Sequence, residues 1–147
     1  MTDTLTQNQR SALMSRVKQK NTAPEVHVRK ILHRHGFRFR LHDRKLPGSP
    51  DVVLPKYRTV IFVHGCLWHG HNCRRGRLPT TNADSWRTKV EKNIERDKAV
   101  IRQLESKGWN VEIVWQCEAK DLTSLVDRLR QNLLAISSTR SVAALSR

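Results

Sequence analysis

The chain has 147 residues, enough to bury a core of its own as one domain. Its formal net charge is +15, with 28 Lys and Arg against 13 Asp and Glu. This excess favours a polyanionic partner, above all nucleic acid, over a basic surface without a specific role. No apolar run could span a bilayer, no helix pairs a basic face with a broad apolar one, and residues 1–10 lack the apolar segment of a secretion signal. Three cysteines cannot all pair within one chain, which indicates a reduced, cytoplasmic protein whose thiolates can bind metal.

The first predicted elements are two helices and a strand. Residues 9–20 carry apolar side chains at helical spacing, which predicts a short helix. Thr22 and Glu25 have the spacing of a capping box, so a second helix is expected to begin there and to end near His35. Apolar and basic residues alternate over residues 37–41, which predicts a half-buried strand.

A hairpin is predicted next. Residues 51–54 and 59–63 are mostly apolar and have the length of strands, and the proline-containing segment 55–58 separates them. The second of these strands leads directly into the loop at residues 64–73.

The remaining elements are a helix from residue 84 or 85 to Lys107, a strand over residues 109–115, and an amphipathic helix over residues 121–136. The order of elements predicts the α/β class, with a mixed central sheet flanked by helices. The predicted single domain covers residues 8–136, and the flexible tails are residues 1–7 and 137–147.

The loop at residues 64–73 has the composition of a metal site. It holds three of the seven histidines and two of the three cysteines. Cys66, His71 and Cys73 could surround one ion, and Cys117, at the end of a predicted strand, could complete a tetrahedral zinc site. The spacing is irregular for a zinc finger, and the alternative is a set of buried or incidental cysteines. Structural zinc is the preferred interpretation.

Several acids and histidines form a second set of candidates. His64 and His69 share the loop and are candidates for acid–base chemistry, and Asp51, at the start of the paired strand, is a candidate magnesium ligand. Asp97 and Glu25 fall on apolar helix faces, where an unpaired charge is costly. Either acid could pair with an Arg or Lys, and capping alone could explain Glu25. In the sharper interpretation, Asp97 orients a histidine and Glu25 reaches the metal site through water or Asp51.

The tryptophans divide into two pairs. Trp68 and Trp86 lie outside the predicted strands, where rigid aromatic rings on a basic protein can stack on bases or wedge between them. The alternative is that both pack beneath the loop. Trp109 and Trp115 alternate with aliphatic residues and are expected in the core.

Four blocks, at residues 47–51, 60–73, 92–97 and 108–117, resemble the very short patch repair endonucleases, and the resemblance extends over about residues 11–134. It implies a bacterial enzyme with a restriction-endonuclease-like fold. Such an enzyme nicks double-stranded DNA 5′ of the thymine in a T:G mispair. These mispairs arise when 5-methylcytosine deaminates in the target of a DNA cytosine methyltransferase, which implies a functional link to that methyltransferase. We expect a cytoplasmic protein associated with the nucleoid through DNA, and a monomer, since nothing in the sequence indicates a dimer.

The resemblance also implies roles for particular residues. Asp51 and the main-chain carbonyl of Val63 would bind catalytic magnesium, and His69 would act as the general base. The residues that would assist are His64, Asp97 and Glu25. The positions that match the family's zinc ligands are Cys66, His71, Cys73 and Cys117. The positions that match its DNA wedges are Met14, Leu67, Trp68 and Trp86.

Two positions depart from the family's pattern. Val63 stands where the family often has Thr, but a carbonyl ligand does not depend on its side chain, so activity is expected to survive. Leu67 stands where the family often has Phe; it can wedge but cannot stack, so mismatch recognition is expected to be weaker or differently shaped. The wider nuclease superfamily has an acid and a lysine on this strand, where this chain has Val63 and Gly65, so the histidines would replace the lysine. The alternative functions are a zinc-stabilised DNA-binding module without catalysis, and a hydrolase of another substrate.

Overall fold

The computed structural model describes residues 6, 8, 9 and 22–133. Met14, with the helix predicted around it, and the predicted C-terminal tail lie outside the described residues. Among the helices that the structure describes, none has the length and apolar character needed to cross a membrane.

Three long helices are described: α1 (Ala23–Arg34), α2 (Ala83–Ser106) and α3 (residues 123–133). The hydroxyl of Thr22 accepts a hydrogen bond from the Glu25 N–H at 3.5 Å, so the predicted start of α1 is confirmed. Both α1 and α2 are followed, two residues after their last residue, by a glycine in the left-handed conformation, Gly36 (φ +82°) and Gly108 (φ +85°).

A four-stranded mixed sheet lies at the centre, in the order β1 (Arg40–Leu41), β2 (Val52–Leu54), β3 (Thr59–His64) and β4 (Asn110–Trp115). The first three strands are antiparallel to one another, and β3 and β4 are parallel. The predicted α/β class and the predicted hairpin are therefore confirmed, and the fold is consistent with a restriction-endonuclease-like protein.

The first strand is shorter and more exposed than predicted. Only Arg40 and Leu41 belong to it, and both are exposed. The buried Phe37 lies in the connection after α1 rather than in the sheet. The strand ends at Leu41, and His42 makes one further backbone hydrogen bond across to Asp51 before its left-handed backbone (φ +46°) turns away. The partner strand β2 has only three residues.

The core has two layers because side chains on successive strand residues point to opposite faces. One face of the sheet packs against α1 and α3, through Val28, Leu32, Val52, Leu54, Ile61, Val114, Leu125, Val126 and Leu129. The other face packs against α2, through Val53, Val60, Phe62, Val100 and Leu104. The parallel register pairs His64 with Trp115, so the loop after β3 and the segment after β4 emerge at the same end of the sheet. The site is built at this end.

Candidate functional site

The four predicted zinc ligands come together at this end of the sheet. Single ligand atoms of Cys66, His71, Cys73 and Cys117 all lie within 4.8 Å of one another. The Cys117 sulfur is 3.4 Å from His71 Nδ1. Tetrahedral zinc with bonds of about 2.0–2.3 Å would separate such ligand pairs by about 3.5–3.8 Å. The donor set and its spacing therefore fit zinc without rearrangement of the fold.

Backbone hydrogen bonds fold the loop tightly around these ligands. The His71 N–H donates to the Cys66 carbonyl, and the Cys73 N–H donates to the His71 carbonyl, both at 2.9 Å. Gly76 passes so close that a Cβ there would lie 1.9 Å from the His71 carbonyl oxygen. Gly70 has φ +68°, and a Cβ there would lie 2.7 Å from Ile94 of α2. Both glycines are needed for the loop to adopt this path.

The thiols of the cluster differ in how firmly they hold a proton. Desolvation raises the pKa of Cys73, but hydrogen bonds from His71, Cys66, the Gly76 N–H and Cys117 outweigh it and lower the pKa to about 7. Desolvation and the neighbouring Cys66 and Cys73 raise the pKa of Cys117 to about 12. One thiol is thus close to its thiolate form at neutral pH, and a neighbouring thiol keeps its proton. A bound cation would favour the thiolate form of every sulfur in the group.

A second cluster joins the two remaining histidines of the loop to α2. His69 Nδ1 lies 2.6 Å from Asp97 Oδ2, a short, charge-assisted hydrogen bond. The rings of His64 and His69 stack with centroids 3.8 Å apart and planes 6° apart. Because Asp97 accepts from Nδ1, the Nε2 atom of His69 is left with its lone pair. The acid predicted to orient a histidine is in contact with one.

The burial of His64 makes this stack compatible with proton transfer. Desolvation, followed by the proximity of His69, lowers the pKa of His64 to about 4, and Asp97 opposes the shift. His64 is therefore neutral at pH 7. Its Nδ1 atom is buried and has no hydrogen-bond partner among the described residues. A neutral neighbour allows His69 to take up a proton without facing a second positive charge at 3.8 Å.

Asp51 stands beside this cluster, at the entrance to β2. Its Oδ2 atom accepts a hydrogen bond from the Val63 N–H at 2.7 Å. Desolvation raises the pKa of Asp51, the Val63 N–H lowers it, Glu25 raises it and Arg29 lowers it, with a net rise to about 6. A carboxylate that is partly desolvated and close to a second acid is suited to bind a cation, which relieves both costs.

Glu25 is near Asp51, as predicted, but the link between them is a histidine that the sequence analysis missed. His42 lies with Nε2 3.8 Å from Glu25 Oε2 and Nδ1 3.9 Å from Asp51 Oδ1. Arg29, one turn after Glu25 on α1, lies 3.4 Å from Glu25 Oε2 and 2.8 Å from His42 Nε2. The i,i+4 spacing of Glu25 and Arg29 was a readable signal. Counting the β1–β2 register one residue past Leu41 and Val52 would have placed His42 opposite Asp51.

Trp115 separates the two clusters and is half-buried rather than a deep core residue. Its ring stacks on His71 with centroids 4.2 Å apart, and it meets His64 edge-on at 5.3 Å. The Trp115 ring therefore lies between the cysteine–histidine cluster and the His64–His69 pair and contacts both. Trp109 is also half-buried, and the Cζ atom of the Arg58 guanidinium lies 4.3 Å from the centre of its ring.

Two of the predicted DNA-wedging residues, Leu67 and Trp68, lie in the loop, and a third, Trp86, lies in the first turn of α2. Trp68 and Trp86 are half-buried and contact each other, with ring centroids 5.2 Å apart. Leu67, which precedes Trp68 in the sequence, is also half-buried. The Lys89 ammonium lies 4.9 Å from the centre of the Trp68 ring. The structure thus combines features of both interpretations: the two rings pack together, and each retains an exposed part. The exposed arginines of the following basic loop are Arg74, Arg75 and Arg77.

The fold and the site together define a class of protein. It is an α/β protein that groups a carboxylate, a histidine–aspartate pair and a cluster of three cysteines and one histidine at one end of its sheet. Comparison with known proteins defines the family. The sequence profile described as DNA mismatch endonuclease Vsr matches residues 2–75. The chain is 52% identical over 133 residues to the type II nicking enzyme V.XorIIP of Xanthomonas oryzae pv. oryzae. The aligned residues cover 90% of this chain and 98% of that protein.

Two further relatives agree. The type II nicking enzyme V.NmeAIP of Neisseria meningitidis serogroup A is 46% identical over 131 residues, covering 89% of this chain and 94% of that protein. The DNA mismatch endonuclease Vsr of Escherichia coli is 42% identical over 118 residues, covering 80% of this chain and 76% of that protein. The chain belongs to the DNA mismatch endonuclease Vsr family, so the resemblance seen in the sequence is confirmed. Its class is DNA endonuclease, a hydrolase.

Proposed function

We propose that this protein is a magnesium-dependent, strand-specific endonuclease that nicks DNA 5′ of the thymine in T:G mispairs. These mispairs would come from deamination of 5-methylcytosine in the target of a cytosine methyltransferase, and the nick would initiate very short patch repair. The observation that carries the proposal is the position of the Asp51 carboxylate. It is bonded to the Val63 N–H at the entrance to the loop that holds the His69–Asp97 pair.

The residues around Asp51 fit a hard divalent cation. One carboxylate oxygen is engaged by the Val63 N–H, which leaves Oδ1 for a metal. Asp51 and the main-chain carbonyl of Val63 would hold magnesium, since both offer the oxygen ligands that this ion prefers. The bound ion would polarise the scissile phosphate and stabilise the charge that develops on it. The side chain of Val63 takes no part, so the departure from Thr is compatible with this role.

His69 is the proposed general base. Its Nδ1 proton is held by Asp97 at 2.6 Å, so Nε2 can accept a proton from water as the water oxygen attacks phosphorus. The bond from phosphorus to the leaving sugar oxygen then breaks, and that oxygen takes a proton from solvent. Asp97 then stabilises the imidazolium, and the neutral His64 ring supports the orientation of His69 by stacking on it. Glu25 acts more remotely, through the groups around Asp51.

The thiolate cluster is proposed to hold structural zinc. Four protein ligands fill a tetrahedral shell and leave no open position for substrate, which separates this site from the hydrolytic one. Soft sulfur ligands favour zinc, whereas the oxygen ligands near Asp51 favour magnesium, so the two sites select different ions.

DNA recognition is proposed to use the charge and the aromatic rings. The net charge of +15 supports backbone binding, and the contacting rings of Trp68 and Trp86, with Leu67, would enter the base stack at the mispair. Met14, which lies outside the described residues, is proposed to act with them. Arg74, Arg75 and Arg77 would contribute to the flanking sequence preference. Both clusters come from one chain, which supports a monomer as the active form.

The test is nicking of a duplex that contains one T:G mispair in a methyltransferase site, with magnesium and zinc-loaded protein. A matched C:G duplex should stay intact. Asp51→Ala should bind the duplex without nicking it, and Asp43→Asn, an acid of the same connection, should nick normally. A protein that binds the mispair but never nicks it would be a zinc-stabilised binding module instead. Binding that is insensitive to salt would argue against DNA altogether.

A further inference from the structure

The ring of His42 occupies the space between two carboxylates. On one side Nε2 is 3.8 Å from Glu25 Oε2, and on the other Nδ1 is 3.9 Å from Asp51 Oδ1. The carboxylate of Glu25 is 5% exposed and that of Asp51 is 18% exposed, so their mutual repulsion is poorly screened by water. A ring between them keeps the acids apart and fixes the face that each presents.

Arg29 determines which ring nitrogen of His42 carries the proton. Its guanidinium nitrogen lies 2.8 Å from Nε2 in a hydrogen bond. A guanidinium has donors and no acceptor, and it stays charged in proteins, so Nε2 must be the acceptor. The proton of a neutral ring is then on Nδ1, and that N–H faces Asp51 Oδ1. A protonated Nδ1 has no lone pair for a metal, so His42 is not a metal ligand in this arrangement, although Glu25, His42 and Asp51 are grouped as metal ligands would be.

The backbone at His42 is adapted to this orientation. The residue has φ +46°, in the left-handed region, which is strained for a residue that carries a side chain. Its N–H donates to the Asp51 carbonyl at 3.2 Å, which continues the β1–β2 pairing by one bond. The side chain is therefore turned towards Glu25 and Asp51 from a strained position that the neighbouring strand holds in place.

We propose that His42 is a positioning residue for Asp51, held by Arg29 in the tautomer with its proton on Nδ1. The Nδ1 atom lies 3.9 Å from Oδ1, and the partial positive charge of its N–H orients the free oxygen of Asp51 by electrostatic attraction, while the Val63 N–H holds the other oxygen in a hydrogen bond. This inference rests on the proposed role of Asp51 as the magnesium ligand. It adds a second layer to that site: Arg29 orients His42, and His42 orients the ligand. Groups that hydrogen-bond or orient a metal ligand typically alter metal affinity by about 10–100-fold.

The first test observes the tautomer directly, by the ¹⁵N chemical shifts of the His42 ring in the metal-free protein at neutral pH. We expect a proton on Nδ1 and none on Nε2. In Arg29→Met the acceptor role of Nε2 is lost, and the proton should move to Nε2, towards Glu25. Arg34→Met, with the same charge change on the same helix, should leave the wild-type signature. Wild-type shifts with a proton on Nε2 would overturn the proposal.

The second test measures magnesium binding by calorimetry. His42→Phe keeps the ring and removes both nitrogens, so affinity should fall by about 10–100-fold. His42→Asn keeps a donor near the position of Nδ1 and should recover most of the affinity. Circular dichroism and zinc content would establish that each variant is folded.

Asp51→Ala separates the two possible failures. If wild type and Asp51→Ala bind magnesium equally, the proposed role of Asp51 is wrong. If Asp51→Ala abolishes binding while His42→Phe binds as wild type, the role of Asp51 stands and the positioning role of His42 is refuted.

Discussion

Replacing Asp97 with Asn should disable His69 while leaving the fold in place. The two side chains are about three-quarters buried and share a hydrogen bond of 2.6 Å. Asn has nearly the same shape as Asp, but it carries no charge and can turn its amide N–H towards Nδ1. The proton of His69 would then sit on Nε2, the nitrogen that we propose accepts the proton of the attacking water.

Typical free energies of charged hydrogen bonds and typical rate contributions of general bases bound the size of the effect. A hydrogen bond to a charged group contributes about 1.5–3 kcal/mol, which corresponds to a loss of about 10–150-fold in rate. The whole contribution of a positioned general base is about 10²–10⁴-fold. We therefore expect Asp97→Asn to lower the nicking rate by about 10²-fold, within a range from about tenfold to about 10⁴-fold.

The assay is single-turnover nicking of a T:G duplex at saturating protein, which reports the chemical step. The decisive control is a double-mutant cycle with His69→Ala. Because Asp97 acts through His69, adding Asp97→Asn to His69→Ala should change the rate very little. An equal loss in the presence and absence of His69 would refute the proposed pairing, as would an Asp97→Asn protein with the wild-type rate.

Three further predictions concern ionisation, zinc and loop shape. Burial raises the pKa of Asp51 from 3.8 to about 6, so magnesium affinity should rise with pH through about 6 and level off above it. The folded metal-free protein holds this proton more tightly than the unfolded chain. The contribution of Asp51 to the free energy of unfolding should therefore decrease as the pH rises from about 4 to about 6. Cys117→Ser should lose bound zinc and lower Tm by about 10 °C. Zinc ions present at 100 times their Kd add about 2.7 kcal/mol to the free energy of unfolding, and this contribution would be lost. Gly76→Ala should lower zinc content, because the new Cβ would meet the His71 carbonyl.

Each of these predictions has a control that can contradict it. For the pH dependence, calorimetry with Asp51→Asn should show weak binding at every pH, and a wild-type protein with unchanged affinity from pH 5 to 8 would contradict it. For the zinc site, metal analysis and thermal melting of Cys117→Ser should match wild type treated with a chelator. Gly36→Ala, where a Cβ meets nothing within 4 Å, should keep its zinc. Equal zinc contents in the two glycine variants would contradict the role of Gly76.

Local patterns predicted most of the fold. The helix cap at Thr22, the glycines after α1 and α2, and the turn between β2 and β3 are determined by nearby residues, and the structure places all of them as expected. The prediction of a strand over residues 37–41 was wrong at residues 37–39. An alternating pattern shows which side chains could be buried, but it does not show whether a partner strand is long enough to pair with them. The partner, β2, has three residues, so most of the predicted strand has nothing to pair with.

The site was harder to predict where it depended on register. Cys117 was found because it was the last cysteine available and followed a strand. His42 was missed because its significance depends on lying opposite Asp51 across a two-residue strand, in a left-handed conformation that its residue type does not indicate. Trp115 was assigned to the core because alternation does not show that the strand ends between two clusters.

The parallel pairing of β3 with β4 has a consequence for how the protein acquires activity during synthesis. β3 and the loop after it leave the ribosome well before β4, and Cys117 follows β4. Until then the loop has three of the four proposed zinc ligands, and β3 lacks one of its neighbouring strands. The contact between β3 and β4 is long-range in sequence, and it can form only after α2 and β4 have both been synthesised. A chain truncated before residue 117 would therefore carry His64, His69 and Asp97 without the support that aligns them, and it would be unable to nick DNA in the cell that made it.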